Sequence, residues 1–213
     1  LALAALVIIA LVTGLCIPEI WRTTPRGLEP KVYVSAIDLM QAAMLRHRAR
    51  KYEAAGRFEE AQHAWQSAIA NNKADTGLLA AALTNFVRLN EPSRQMIEVA
   101  IGQALWLIRL AGTNRHSLDV AMPVFVKSHV PDMAVGILHG RPPPLPPAQE
   151  GALLKALFLT GRVREYHERR AQFGQHLLPD AELDLCEAAY LVVAGPFEKA
   201  AEARRRLADA VEN

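Results

Sequence analysis

Hydrophobic and polar positions divide this chain into two regimes. From Leu1 to Ile17 the run LALAALVIIALVTGLCI carries no charged residue. From Ser35 onward apolar residues recur three and four apart, a spacing that predicts amphipathic helices. Ile37, Met40, Met44 and Leu45 form the first such stripe, with Ser35 placed to cap its helix. Between the regimes, residues 23–30 (TTPRGLEP) are rich in helix breakers and read as a joint.

The apolar head is long enough to consider a membrane. Seventeen helical residues rise about 25 Å, near the lower limit for crossing a bilayer core. Pro18 and Glu19 end the run, and Trp21 and Arg22 then make an interfacial anchor pair. A transmembrane anchor over 1–21 is therefore expected, followed by a linker over 22–35. A cleaved signal peptide would need a small-x-small site after the run, and none follows. A lipoprotein signal ending at Cys16 would want a small residue before it, where Leu15 stands. A buried soluble helix fits poorly, because the run has no polar face. The sequence opens on Leu1 and closes on ADAVEN within a helical pattern, so a longer natural protein is expected. Arg22, Arg26 and Lys31 follow the span, and positive flanks favour the cytoplasm. A short tail before a single anchor favours the opposite orientation, and the body is expected on the extracytoplasmic (periplasmic) side of a bacterial membrane.

Within residues 36–213 one segment has a sharper pattern, RHRARKYEAAGRFEEAQHAWQSAI. Its Tyr52, Gly56, Phe58, Ala61, Trp65 and Ala68 are spaced 4, 2, 3, 4 and 3 residues apart. Glycine permits a left-handed turn at the end of a first helix. The alanines let two helices approach, and the aromatics fill the space between them. The pattern recurs. Gly195 has Leu191, Phe197, Ala200 and Leu207 at the same offsets, and Gly161 has Leu157, Val163, Tyr166 and Phe173. Gly161 and Gly195 are 34 residues apart, while Gly56 and Gly161 are separated by 105, three periods of 35. Missing turns are expected near 91, where Asn90-Glu91-Pro92 stands, and near 126, with His129-Val130-Pro131 slightly late. Five helix pairs follow, at about 36–71, 76–111, 114–140, 148–176 and 180–211. Pro123 is expected to interrupt the first helix of the third pair, and the second to be short before Gly140.

These residues resemble the tetratricopeptide repeat, whose period is about 34 residues. The first unit departs from that family at Leu45, Ala49 and Lys73, which stand for its tryptophan, glycine and proline. The resemblance implies an all-α fold, a right-handed α/α solenoid of about five such pairs preceded by one transmembrane helix. In that family the first helices line a concave groove for peptides. Carried onto this sequence, the groove positions are Arg46, Arg50, Glu53, Asn85, Arg88 and Lys155. They make a mostly basic stripe suited to an acidic segment or the terminal carboxylate of a partner. The repeat-packing positions are Tyr52, Gly56, Phe58, Ala61, Trp65, Ala68, Gly161, Gly195, Phe197 and Ala200.

Composition narrows the function. The 213 residues are 51% hydrophobic and only 6% aromatic, which favours close-packed helices. Twenty-four basic and 22 acidic side chains leave a formal charge of +2, so no field for bulk nucleic-acid binding arises. The basic clusters Arg46–Lys51, Arg162–Arg170 and Arg204–Arg206 are mixed with apolar or acidic residues, as on solvated helix faces. Cys16 and Cys186 make no metal or redox spacing. The seven histidines are scattered with no i, i+4 pair, and no phosphate loop or nucleophile elbow is present. Catalytic residues, metals, cofactors and small-molecule substrates are not expected. Arg141–Pro147 (RPPPLPP) reads as a stiff connector, with the spacing of an SH3 ligand as the functional alternative. The expectation is a single-pass membrane scaffold holding a membrane-associated protein partner. Two alternatives are an accessory subunit of a membrane enzyme or secretion complex, its span packing through Gly14, Ala2, Ala5 and Ala10, and an α/α enzyme built on a buried histidine.

Overall fold

The computed structural model describes residues 2–16, 18–177 and 179–212, and within them the side chains outside 2–4, 15, 197–198 and 211–212. The described protein is all-α apart from two short strands, with eleven α-helices. Contacts divide it into two compact units, Leu1–Val124 and Phe125–Asn213.

The apolar head folds as α1 (Ala2–Cys16), whose 15 residues rise about 22 Å. Among the described residues no helix is long and apolar enough to cross a membrane. Leu1 and Ile17, which the expected span included, lie outside the described residues. The expected linker is partly ordered. Strand β1 (Trp21–Arg22) pairs antiparallel with β2 (Tyr33–Val34), Trp21 opposite Val34. Thr24 stitches this hairpin, its Oγ1 accepting from the Val32 amide at 3.1 Å.

The first unit continues with α2 (Ala36–Ala54), α3 (Phe58–Asn71), α4 (Thr76–Arg88) and α5 (Arg94–Ala111). Ser35 caps α2 as its position predicts, accepting from the Asp38 amide while Asp38 takes the Ser35 amide. Asp75 caps α4 by accepting from the amides of Gly77 and Leu78. Each helix packs on the next from α2 to α5. Alanines at 42 and 49 on α2, and at 61, 64 and 68 on α3, are buried at the first interface and allow close approach. Trp65, Leu78, Leu79, Leu83, Phe86 and Leu107 fill the core at 0–1% exposure. Each such side chain contributes roughly 1.5–3 kcal/mol by burial.

Helix α6 (Arg115–Lys127) corrects one expectation, since Pro123 lies inside it and does not interrupt it. Proline cannot donate to the carbonyl four residues back, a defect of about 3 kcal/mol. Leu118, Ala121, Met122 and Val124 are all fully buried, and that burial outweighs the defect.

The second unit holds α7 (Pro131–Leu138), α8 (Pro147–Leu159), α9 (Val163–Phe173) with a 3-10 turn to His176, α10 (Ala181–Ala194) and α11 (Phe197–Glu212). Here α7 packs on α8, α8 on both α9 and α10, and α10 on α11. The segment Arg141–Pro147 joins α7 to α8 as a loop with Leu145 buried, and Pro147 opens α8. The helices thus occupy the five expected windows, with α7 short as foreseen.

Three inter-helix turns share one backbone pattern. After α2 the Arg57 amide donates to the Tyr52 carbonyl at 2.9 Å, and the Gly56 amide to Glu53 at 3.0 Å. After α6 the Val130 amide reaches Phe125 and His129 reaches Val126; after α8 the Arg162 amide reaches Leu157 and Gly161 reaches Phe158. This is the Schellman closure, which needs one left-handed residue. Gly56 (φ 72°), His129 (φ 56°) and Gly161 (φ 74°) supply it. Gly195 differs. Its φ is −82°, so no left-handed turn forms there. A side chain at 195 would instead meet the Leu191 carbonyl oxygen at 2.6 Å, and close backbone approach is what requires glycine.

Candidate binding cleft

Ala61 and Ala68 are fully buried and Trp65 is 1% exposed. The Trp65 indole donates to the Glu53 carboxylate at 3.0 Å. Tyr52 and Phe58 are half-buried, each with an arginine over its ring, Arg57 at 4.8 Å and Arg88 at 5.8 Å. Ala200 is half-buried on α11, and the Phe197 side chain lies outside the described residues.

The expected groove residues differ in exposure: Arg50 and Arg88 are exposed, Arg46, Glu53 and Lys155 half-buried and Asn85 buried. Asn85 is fully buried, and its amide donates at 2.8 Å to both the Phe58 carbonyl and the Gln62 side chain. It closes the α3–α4 interface and is not presented to solvent. Arg46 is tied to Asp75 at 2.9 Å, so it clasps α2 to the cap of α4. Glu53 serves Trp65, and Arg88 covers Phe58. Arg50 is exposed. In the second unit Lys155 reaches Asp180 at 2.7 Å and Glu182 at 2.8 Å, holding α8 to the start of α10. Burial works against the Lys155 charge, but the two carboxylate hydrogen bonds outweigh it and hold the ammonium above its ordinary range.

The first unit has a cleft of about 430 Å³ where α3 faces α5 beside Pro30 and Val32 of the hairpin loop. That volume falls in the range of sites that take small organic groups. Small residues Ala70 and Gly102 keep the two helices from filling it. Its walls are Pro30, Val32, Ile69, Leu79, Val99 and Trp106, and Val99 is 39% exposed. Gln66 and Gln103 meet across it, each amide donating to the other's oxygen, at 3.1 and 2.6 Å. The Trp106 indole donates to the Lys73 carbonyl at 2.8 Å, which fixes that ring as a wall. Lys73 is the one charged lining residue, and the Arg109 guanidinium lies 5.8 Å from the Trp106 ring. An apolar floor with cationic groups at its edge suits an apolar side chain flanked by carboxylates. It offers no nucleophile and no acid–base pair.

The sequence pattern did not single out this cleft. Gln66, Ile69 and Ala70 lie on α3 with Lys73 just past its end, and Val99, Gln103 and Trp106 share one face of α5 at four- and three-residue spacings. Those stripes were the available signal, but pairing them requires knowing that α3 and α5 are neighbours.

In the second unit, polar side chains engage one another. Tyr166 is fully buried and its hydroxyl donates to Glu187 at 2.9 Å. Burial, reinforced by that carboxylate, pushes the phenol far above its ordinary range. Arg170 lies 3.8 Å from both Glu187 and Asp184, and His167 stacks on Tyr190 at 4.7 Å. Arg169 clamps the buried Glu150 through its Nε and Nη2, each donating to one carboxylate oxygen. These contacts tie α9 to α10 and α8. Among the described residues no cluster of three or more histidine, cysteine or carboxylate groups is placed to hold a metal ion. No family model matches the protein, and no match is found among curated proteins or solved structures.

Proposed function

We propose that this protein is a membrane-attached helical-repeat scaffold of tetratricopeptide type. In this reading it forms a right-handed solenoid, holds a protein partner and performs no chemistry of its own. The recurrence of one turn at Gly56, His129 and Gly161 carries the reading, because a repeated turn between helices is what a repeated helix pair requires. Packing of α8 against α10 adds support, since stacked units bring alternate helices together.

Attachment to a membrane rests on α1. Leu6, Val7, Ile8, Ile9, Leu11 and Val12 are each more than half exposed, on all sides of the helix. A helix apolar all round is covered by lipid more readily than by one protein face.

The α3–α5 cleft is the seat of the partner in this reading. Its occupant is an amphipathic protein segment whose apolar side chain enters between Val99 and Trp106 while carboxylates meet Lys73 and Arg109. Affinity isolation of the full-length protein from detergent-solubilised membranes, followed by mass spectrometry, tests this. A defined protein should copurify with the native form and be lost with Val99→Glu. Recovery of the scaffold alone would sink this reading, and equal capture by the variant would remove the cleft from it.

A further inference from the structure

Helix α2 carries an apolar face that the fold leaves uncovered. Ile37, Met40 and Met44 are 36%, 58% and 65% exposed, although their spacing predicts burial. They lie opposite the buried Ala42 and Ala49, and α1 packs on α2 without covering them. The same stripe continues at i+4 and i+3 steps into Arg48 and Lys51, both exposed. Between α1 and α2 in sequence, Ile20, Trp21 and Tyr33 are 53%, 41% and 43% exposed.

We infer that this stripe of α2 is a lipid-contacting face that lays the first helix of the repeat body in the interface of an anionic membrane. The inference rests on the membrane attachment proposed above. Three observations select lipid over a second protein. The uncovered surface is continuous in sequence and packing with α1, whose apolar residues surround that helix. Exposed Trp21 and Tyr33 are the amphipathic rings favoured at headgroup level. Arg48 and Lys51 can lie along the apolar stripe with their charged heads reaching lipid phosphates.

The test uses the full-length protein, with Cys16→Ser and Cys186→Ser, in vesicles of phosphatidylcholine with and without phosphatidylglycerol. A nitroxide is placed at Met44→Cys or, separately, at Ile9→Cys, and its collisions with oxygen and with a water-soluble nickel chelate are measured. Oxygen should dominate at both positions, and the position-44 preference should weaken severalfold without phosphatidylglycerol or in Arg48→Glu/Lys51→Glu. If position 9 is lipid-exposed and position 44 is aqueous, the α2 inference fails while membrane attachment stands. If both are aqueous, both fail. Spin–spin broadening at position 44 would assign the stripe to a second copy and overturn lipid contact.

Discussion

The Trp65 indole donates its N–H to the Glu53 carboxylate at 3.0 Å, joining the middle of α3 to the last turn of α2. One side chain thus fills the interface and orients it. Trp65→Ala should cost about 3–5 kcal/mol, from lost burial and the cavity left behind. Trp65→Phe should cost less, about 1–3 kcal/mol, through the lost hydrogen bond and a smaller ring. Urea unfolding of both variants reads this, and equal losses would assign the interface to the hydrogen bond and not to the volume of the ring.

The three shared turns make a prediction of opposite signs. Gly56→Ala and Gly161→Ala should each destabilise by about 1–2 kcal/mol, because the left-handed residue gains a side chain with no other contact to blame. His129→Gly should stabilise by about 0.5–1 kcal/mol, since histidine already bears that conformation. Thermal unfolding of the three variants suffices. A destabilising glycine at 129 would show that the His129 turn is not equivalent to the others.

Lys155 and Tyr166 give the second unit an alkaline sensitivity. Both fold with their proton held more tightly than in the unfolded state. Their stabilisation is complete below the ordinary lysine and tyrosine values, about 10, and is lost as pH rises beyond them. Urea midpoints between pH 8 and 11 should fall for the native protein. The fall should be shallower in Lys155→Met and in Tyr166→Phe. Parallel curves for all three would refute the linkage.

Glu150 and Arg169 form a buried pair, their side chains 3% and 17% exposed. Glu150→Gln should cost about 3–5 kcal/mol, because it strands a guanidinium away from water. The double substitution Glu150→Leu/Arg169→Met should cost less than the single one. A double-mutant cycle showing simple additivity would mean the two charges are not coupled.

Much of the fold was legible along the sequence because its signals are local. Ser35 and Asp38 are three residues apart, so the cap could be read directly. Gly56 and Gly161 announce left-handed turns by residue type, and the helix windows follow from their spacing. Other features depend on three-dimensional neighbours. Asn85 was expected in a groove, yet here it faces Gln62 and lies buried. Lys155 looks free in sequence, but its partners lie a helix and a loop away. The turn at His129-Val130-Pro131 was expected, but not that histidine, which rarely adopts the conformation, would be its left-handed residue, and Pro123 is overridden by the burial around it. The cleft was the least legible feature. It forms where Pro30 and Val32 meet Gln66, Val99 and Trp106, residues that lie far apart along the sequence.

The paired amides of Gln66 and Gln103 set a property of that cleft. Neither group titrates across the accessible pH range, and a bond between two neutral dipoles is barely screened by salt. The width of the cleft is therefore held by a clasp indifferent to acidity and ionic strength. In the proposed reading, salt dependence of partner capture comes from the charges of Lys73, Arg109 and the captured segment, so a salt titration of binding reports on charge at the rim and not on the shape beneath it.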